Sequence, residues 1–337
     1  MRDVIHQNAL NYKDLLKDYV KTQDENALYR AELVSKSFIK KNILPEEIIN
    51  LHNQALKEIY PKQYEELKHS MSFLLETMIS YGLAHQEFQT LREEQFKLKS
   101  EISVAASMQE TLLATSKPKI SGLDIGAISV PAEQMNGDYH HFVKDKDGTL
   151  GVAIADVIGK GVPAALCMSM IKYAMESFPG QSMSPESILG SLNRVVEKNV
   201  DPGIFITMFY GQYSPTTGKF QYASAGHEPG YHFDSKNNTF HEIKTKGLVL
   251  GVLPDSTYID YECQLGKDDM IILLTDGVTE CRTGGEFIEV SEVLEVIKKY
   301  AHLSAQELVE YVYKHFERLQ NFHLRDDFTL IVIRKED

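Results

Sequence analysis

The sequence is poor in the features that mark secreted, membrane-borne or nucleic-acid-binding chains. It has three cysteines in 337 residues, Cys167, Cys263 and Cys281. They are too few and too far apart for a disulfide framework, and no Cys-x-x-Cys pair points to zinc. Reduced thiols in a cytoplasm are expected. The opening residues lack an apolar signal core, and no run nears the ~18 apolar residues that would cross a bilayer. Positive charge is short as well, since 35 Lys and Arg against 48 Asp and Glu leave a net charge of -13. This argues against nucleic acid or membrane as a partner, because both reward clustered Lys and Arg. What is present is ordinary globular composition, 43% hydrophobic and 25% charged, in a chain long enough for two domains.

Up to about Thr90 the chain holds only two prolines, Pro45 and Pro61, and its apolar residues, among them Leu15, Tyr19, Leu33 and Phe38, recur at helical spacing. Pro45-Glu46-Glu47 is a strong helix opening, because Pro suits the first helical position and acids suit the N-terminal dipole. Residues 1–80 are therefore expected to form a small all-α bundle. From Phe88 a heptad takes over, with Phe88, Leu91, Gln95, Leu98, Ile102, Ala105, Gln109 and Leu112 spaced by alternating threes and fours. Residues 81–117 are expected to be a helical coiled-coil linker. For the part after Glu101 an amphipathic helix lying on the next domain fits equally well. Gln95 and Gln109 would be polar seam positions that set register or weaken the seam.

After Pro118 strand-like runs appear at 123–130, 151–155, 205–213, 220–224, 270–274 and 328–333. Helical stretches fall at 163–178, 185–199, 290–300 and 305–320. Helices bunched in pairs between groups of strands read as α+β over 118–337.

This part is organised around Asn136-Gly137-Asp138-Tyr139 and Asp156-Val157-Ile158-Gly159-Lys160-Gly161. Strand-like arms flank Lys146-Asp147-Gly148, a strong hairpin signal. A three-residue loop centred on Asp147 sets Asp138 opposite Asp156 on one face; a two-residue loop would send them to opposite faces. We adopt the longer loop. Two close carboxylates repel unless one holds a proton or both share a cation, and oxygen ligands suit Mg²⁺ or Mn²⁺. Taken singly, each Asp also reads as a turn or cap residue.

Two further strands carry an acid at an end, Asp276 after Met270 to Leu274 and Asp326-Asp327 before Phe328 to Ile333. Four such strands suggest a shared rim, an all-oxygen site and two ions, the arrangement that activates water and offsets charge on a phosphoryl group. Gly159-Lys160-Gly161 lacks the other residues of a nucleotide phosphate loop and reads as a tight turn into the following helix. His140, His141 and His227 read first as hydrogen-bonded histidines, with acid catalysis as the other option. Ala223 to Gly230 reads as a turn shaping the site.

Gly137-Asp138-Tyr139, Ala155 to Gly161, Ala225-Gly226-His227, Thr275-Asp276-Gly277 and Asp326-Asp327-Phe328-Thr329 together resemble the metal-dependent PPM-type serine/threonine phosphatases of the bacterial SpoIIE/RsbU branch. The helix from Glu101 to Leu113 resembles the one that enters that branch's catalytic domain. The resemblance implies a PPM-type β-sandwich flanked by helices, with two Mn²⁺ or Mg²⁺ ions. Asp138 and Asp156 would bind both ions, the Val157 carbonyl would add a ligand, and Asp276 and Asp326 would complete the shells; Asp326 aligns better than Asp327. It implies hydrolysis by metal-bound hydroxide of phosphoserine on an anti-anti-sigma (STAS) protein, which would turn on a general-stress sigma factor. It further implies an RsbT-like switch kinase as activator, and a homodimer through the N-terminal helices and linker. The Arg that grips phosphate and the His that serves as acid in many PPM enzymes have no clear counterpart, His140 being the candidate for the second. Other readings of the same residues are a phosphoprotein-binding scaffold and a small-molecule phosphohydrolase.

Overall fold

The computed structural model describes all residues except 1, 41–42, 160, 179–182, 201–202, 284–285, 321, 323 and 337. They form two compact units, Met1–Lys99 and Ser100–Asp337.

The first unit contains α1 (Arg2–Thr22), α2 (Glu25–Lys40), α3 (Pro45–Ile59) and the greater part of α4 (Tyr64–Leu113). Pro45 stands in the first turn of α3, and the Glu47 carboxylate accepts the Leu44 N–H at 3.2 Å, so the start signal read in the sequence acts as one. Tyr12 on α1 hydrogen-bonds His52 Nδ1 on α3 at 3.0 Å and meets the Phe38 ring on α2. These contacts join three of the expected bundle's helices. The fourth, α4, runs unbroken for 50 residues through the position where the linker was expected to begin.

The second unit is built on two five-stranded sheets. Its elements in order are β1 (Leu123–Val130), β2 (Asp138–Lys144), β3 (Leu150–Val157), α5 (Val162–Glu176), α6 (Pro185–Asn199), β4 (Ile206–Ser214), β5 (Lys219–Ala225), β6 (Gly230–Asp234), β7 (Thr239–Ile243), β8 (Tyr261–Gln264) and β9 (Met270–Leu274). There follow α7 (Asp276–Thr279), the short pair β10 (Arg282–Thr283) and β11 (Glu286–Phe287), α8 (Val290–Lys299), α9 (Ala305–Leu319) and β12 (Phe328–Lys335). The sheets have orders β1-β12-β9-β6-β7 and β2-β3-β4-β5-β8, and every pairing within them is antiparallel.

Alternation along the strands creates three cores. Phe142, Val152, Ile154 and Phe209 of one sheet meet Ile271, Leu273, Ile331 and Ile333 of the other. The opposite faces pack on α5 and α6 through Ala153, Met168, Ile171 and Leu192, and on α8 and α9 through Ile272, Val293, Val312 and Val332. This is the expected helix-flanked β-sandwich, with four layers. Helix α9 starts at a capping box in which Ser304 and Glu307 satisfy each other's N–H groups. Strands β6, β7 and β8 were not legible. They are only four or five residues long and mix exposed with buried positions, so their apolar signal is faint.

Candidate active site

The β2–β3 hairpin has the longer loop. Lys144 pairs with Leu150, the Asp145 N–H meets the Thr149 carbonyl at 2.9 Å, and Gly148 closes the turn at φ 88°. Asp138 therefore lies directly opposite Asp156. Asp138 is 3% exposed, accepts the Thr275 hydroxyl at Oδ2 (2.7 Å), and has its N–H held by Asn136 Oδ1 at 2.9 Å. Burial pushes its carboxyl well above the usual range; the Thr329 and Thr275 hydroxyls oppose the shift, and the charges of Asp156 and Asp327 add to it.

The other acids stand at the ends of β9 and β12. Asp276 opens α7, and burial raises its pKa to about 6, followed by the charges of Asp326, Glu280 and Glu228. Gly277 must be glycine on steric grounds, because a Cβ there would come within 2.1 Å of the Asp327 carbonyl oxygen. Adjacent Asp326 and Asp327 differ in duty. Asp327 is buried, and its carboxylate accepts the Ala132 N–H at Oδ1 (2.7 Å) and the Gly137 N–H at Oδ2 (2.5 Å). It ties the loop before Asp138 to the start of β12, while Asp326 is the neighbour whose charge Asp276 feels.

Val157 ends β3, its N–H donating to the Gly137 carbonyl at 3.2 Å. Beyond it Gly159 and Gly161 adopt φ 135° and 81°, left-handed values that favour glycine, and Gly161 caps α5. That agrees with a turn into the helix; Lys160 lies outside the described residues. His227 is buried, its Nδ1 bonded to Thr207 Oγ1 at 2.9 Å, and Thr207 faces Asp156 across β3 and β4. Among the described residues its Nε2 has no hydrogen-bond partner. Burial lowers its pKa to about 4, with the Leu274 carbonyl opposing. Burial lowers His140 and His141 to about 4 as well. His141 stacks on Tyr139 and meets Thr115 Oγ1 at 3.3 Å.

The acids thus stand as two pairs, Asp138 with Asp156 and Asp276 with Asp326, bridged by Thr275 and Asp327. Among the described residues no three His, Cys, Asp or Glu side chains gather at one point fit to hold an ion. The donor chemistry fits hard divalent ions, being all carboxylate on a partly buried rim where, after burial, neighbouring charges add to the raised pKa of Asp138 and Asp276.

Four residues of this arrangement escaped sequence reasoning: Thr275, Asp327 in its clamping role, Asn136 and Gln109. Gln109 is not on an open seam. It is 5% exposed and hydrogen-bonded to the Asn136 main chain, so after Glu101 the helix lies on the sandwich unit. A Thr or Asn directly before an Asp-Gly or Gly-Asp pair was the available signal for Thr275 and Asn136.

Residues 146–336 match the family model for stage II sporulation protein E (SpoIIE), and residues 10–84 match that for the N-terminal domain of the phosphoserine phosphatase RsbU. The chain is 52% identical over 335 residues to phosphoserine phosphatase RsbU of Bacillus subtilis (strain 168), covering 99% of both chains. Among solved structures it resembles the SiaA-PP2C domain of Pseudomonas aeruginosa, with a TM-score of 0.61 and 20% identity over 72% of this chain and 98% of that one. It also resembles the RsbU and RsbW domains of Rv1364c from Mycobacterium tuberculosis, with a TM-score of 0.56 and 25% identity over 66% and 62% of the two chains.

Proposed function

The chain belongs to the RsbU phosphoserine phosphatases of the SpoIIE family, and from that premise we propose that it removes phosphate from a phosphoserine of an anti-anti-sigma (STAS) protein, with two Mn²⁺ or Mg²⁺ ions as cofactors. The observation that supports the reading most is the register of β2 and β3, which sets Asp138 opposite Asp156; Asp276 feels the charge of Asp326 at the ends of β9 and β12.

Asp138, Asp156, Asp276, Asp326 and the Val157 carbonyl would hold the ions. Bound there, divalent ions supply acidified water and offset phosphoryl charge. The protein's part is to keep the carboxylates oriented. Thr275 and Asn136 fix Asp138 from two sides, and Asp327 holds Gly137 beside it. His227, bonded to Thr207, shores up the strand behind Asp156. Burial holds the pKa of His140, His141 and His227 down to about 4, which disfavours their charged forms.

For regulation, an RsbT-like switch kinase activates the phosphatase through the N-terminal helices, and two chains pair along α4. Support comes from the N-terminal family match and from exposed Phe88, Leu91 and Leu98, one stripe of that helix. The product would release the general-stress sigma factor from its inhibitor. No helix among the described residues is long and apolar enough to cross a membrane; the cytoplasmic location is part of the same proposal and follows from the proposed substrate.

The test is phosphate release from a serine-phosphorylated anti-anti-sigma domain with Mn²⁺, for the chain alone, with an RsbT-type partner, and as Asp156→Asn. Low turnover that rises with partner and vanishes in the variant is expected. High turnover without partner would remove the regulation, and no turnover under any condition would remove the activity.

A further inference from the structure

Gln109 joins the end of α4 to the loop that presents Asp138. Its Nε2 donates to the Asn136 carbonyl at 2.7 Å and its Oε1 accepts the Asn136 N–H at 3.0 Å. A side-chain amide is thus paired with a main-chain amide, both of its partners satisfied in a buried place. Asn136 passes the restraint on, because its own side chain accepts the Asp138 N–H at 2.9 Å and donates to Ser129 Oγ at 2.9 Å. Ser129 Oγ in turn meets Thr329 Oγ1 at 2.9 Å, on the strand that follows Asp326 and Asp327.

Around this contact helix and loop are not close-packed. A cavity of about 460 Å³ opens between them, lined by Ser103, Ser107, Glu110, Gln134, Asn136 and Asp138. Ala106, Leu113 and Pro131 line it as well, so the Gln109–Asn136 pairing acts beside these apolar contacts in setting where the loop stands against the helix. The Lys172 ammonium adds a second anchor by donating to the Leu112 carbonyl at the helix end.

We infer that Gln109 is a positioning residue for Asp138: it touches no reacting atom, and it sets the rim's affinity for divalent ions by fixing the Asn136 main chain. The inference rests on the metal-dependent reading above. Gln suits the task because it carries a donor and an acceptor at one reach; Glu lacks the donor, and Met matches its volume with neither.

The experiment compares the full chain with Gln109→Met and with Lys97→Met, a change at an exposed position of the same helix outside the heptad stripe. Three readouts are taken: amide hydrogen exchange at Asn136 and Asp138, Mn²⁺ binding by titration calorimetry, and thermal melting. Protection of the Asn136 amide in the unaltered chain is expected. In Gln109→Met that exchange should speed up and Mn²⁺ affinity should fall about 10-fold, the usual effect of removing a residue that orients a ligand. Melting should move by no more than about 4 °C, and Lys97→Met should match the parent. An unprotected Asn136 amide in the unaltered chain, which needs no variant to fold, overturns the inference, as does full Mn²⁺ affinity in Gln109→Met. A parent chain that binds no Mn²⁺ while keeping Gln109-dependent protection overturns the metal reading instead, and with it the assigned role.

Discussion

In the sandwich unit, every sheet face is covered: helices lie on the two outer faces, and the sheets cover each other. In the helical unit the described side chains tell the opposite story, with only Ala27, Phe38 and Ala55 buried among the apolar ones. Tyr29, Leu33, Leu67, Leu74, Tyr81 and the 88–98 stripe stay exposed. The contrast separates two jobs within one chain. The sandwich closes on itself and orients its carboxylates, whereas the helical unit leaves apolar side chains exposed, the surface on which the proposed partner would act.

The contrast can be tested from both sides, and the largest effect belongs to the rim. Asp156→Asn should lower turnover at least about 1,000-fold, equivalent to about 4 kcal/mol of transition-state stabilisation, while the melting temperature holds or rises because a crowded charge is gone. Phosphate release beside a thermal melt measures both, and activity within tenfold of the parent would sink the assignment of Asp156.

Next in size is the core. Ile331→Ala, in the layer between the sheets, should cost about 3 kcal/mol in urea unfolding, a cavity-forming loss. Leu98→Ala on the open helix should stay within about 0.5 kcal/mol. Equal losses at the two sites would erase the contrast between the units.

A smaller effect divides two neighbours. Asp327→Asn leaves only one acceptor for two main-chain N–H groups, so stability should drop by about 1 to 3 kcal/mol. Asp326→Asn should lose more turnover than stability. Urea midpoints and turnover for both variants decide the matter, and the reverse pattern would exchange their roles.

How far the sequence could be read follows the range of the interactions. The Asp138–Asp156 register was legible because a turn with Asp147 and Gly148 settles it locally. The four acidic strand ends were legible for a similar reason, each marked by an abrupt change from apolar to polar. Asp327 was not, since its partners Ala132 and Gly137 lie 195 and 190 residues away. Hydrogen-bonding capacity can be read from a residue type; the partner that uses it comes from the fold. The short edge strands were missed because four residues of mixed burial carry too few alternations to stand out.

The heptad shows the same limit and supplies the smallest expected effect. Spacing by threes and fours marks a stripe without saying what covers it. In the structure the stripe divides: Ile102, Ala105 and Gln109 are partly or fully buried in the sandwich unit, while Phe88, Leu91 and Leu98 remain exposed. The second group is thus the part available to another chain. Replacing Leu91 and Leu98 together by Ser should change unfolding free energy of the dilute chain by no more than about 0.5 kcal/mol per site, because little is buried there. Sedimentation at rising concentration should nevertheless show weaker self-association, since each side chain would be lost from both copies of a symmetric seam. If association is unchanged, the exposed stripe is not where two chains meet, and the open surface of the helical unit is left to a different protein.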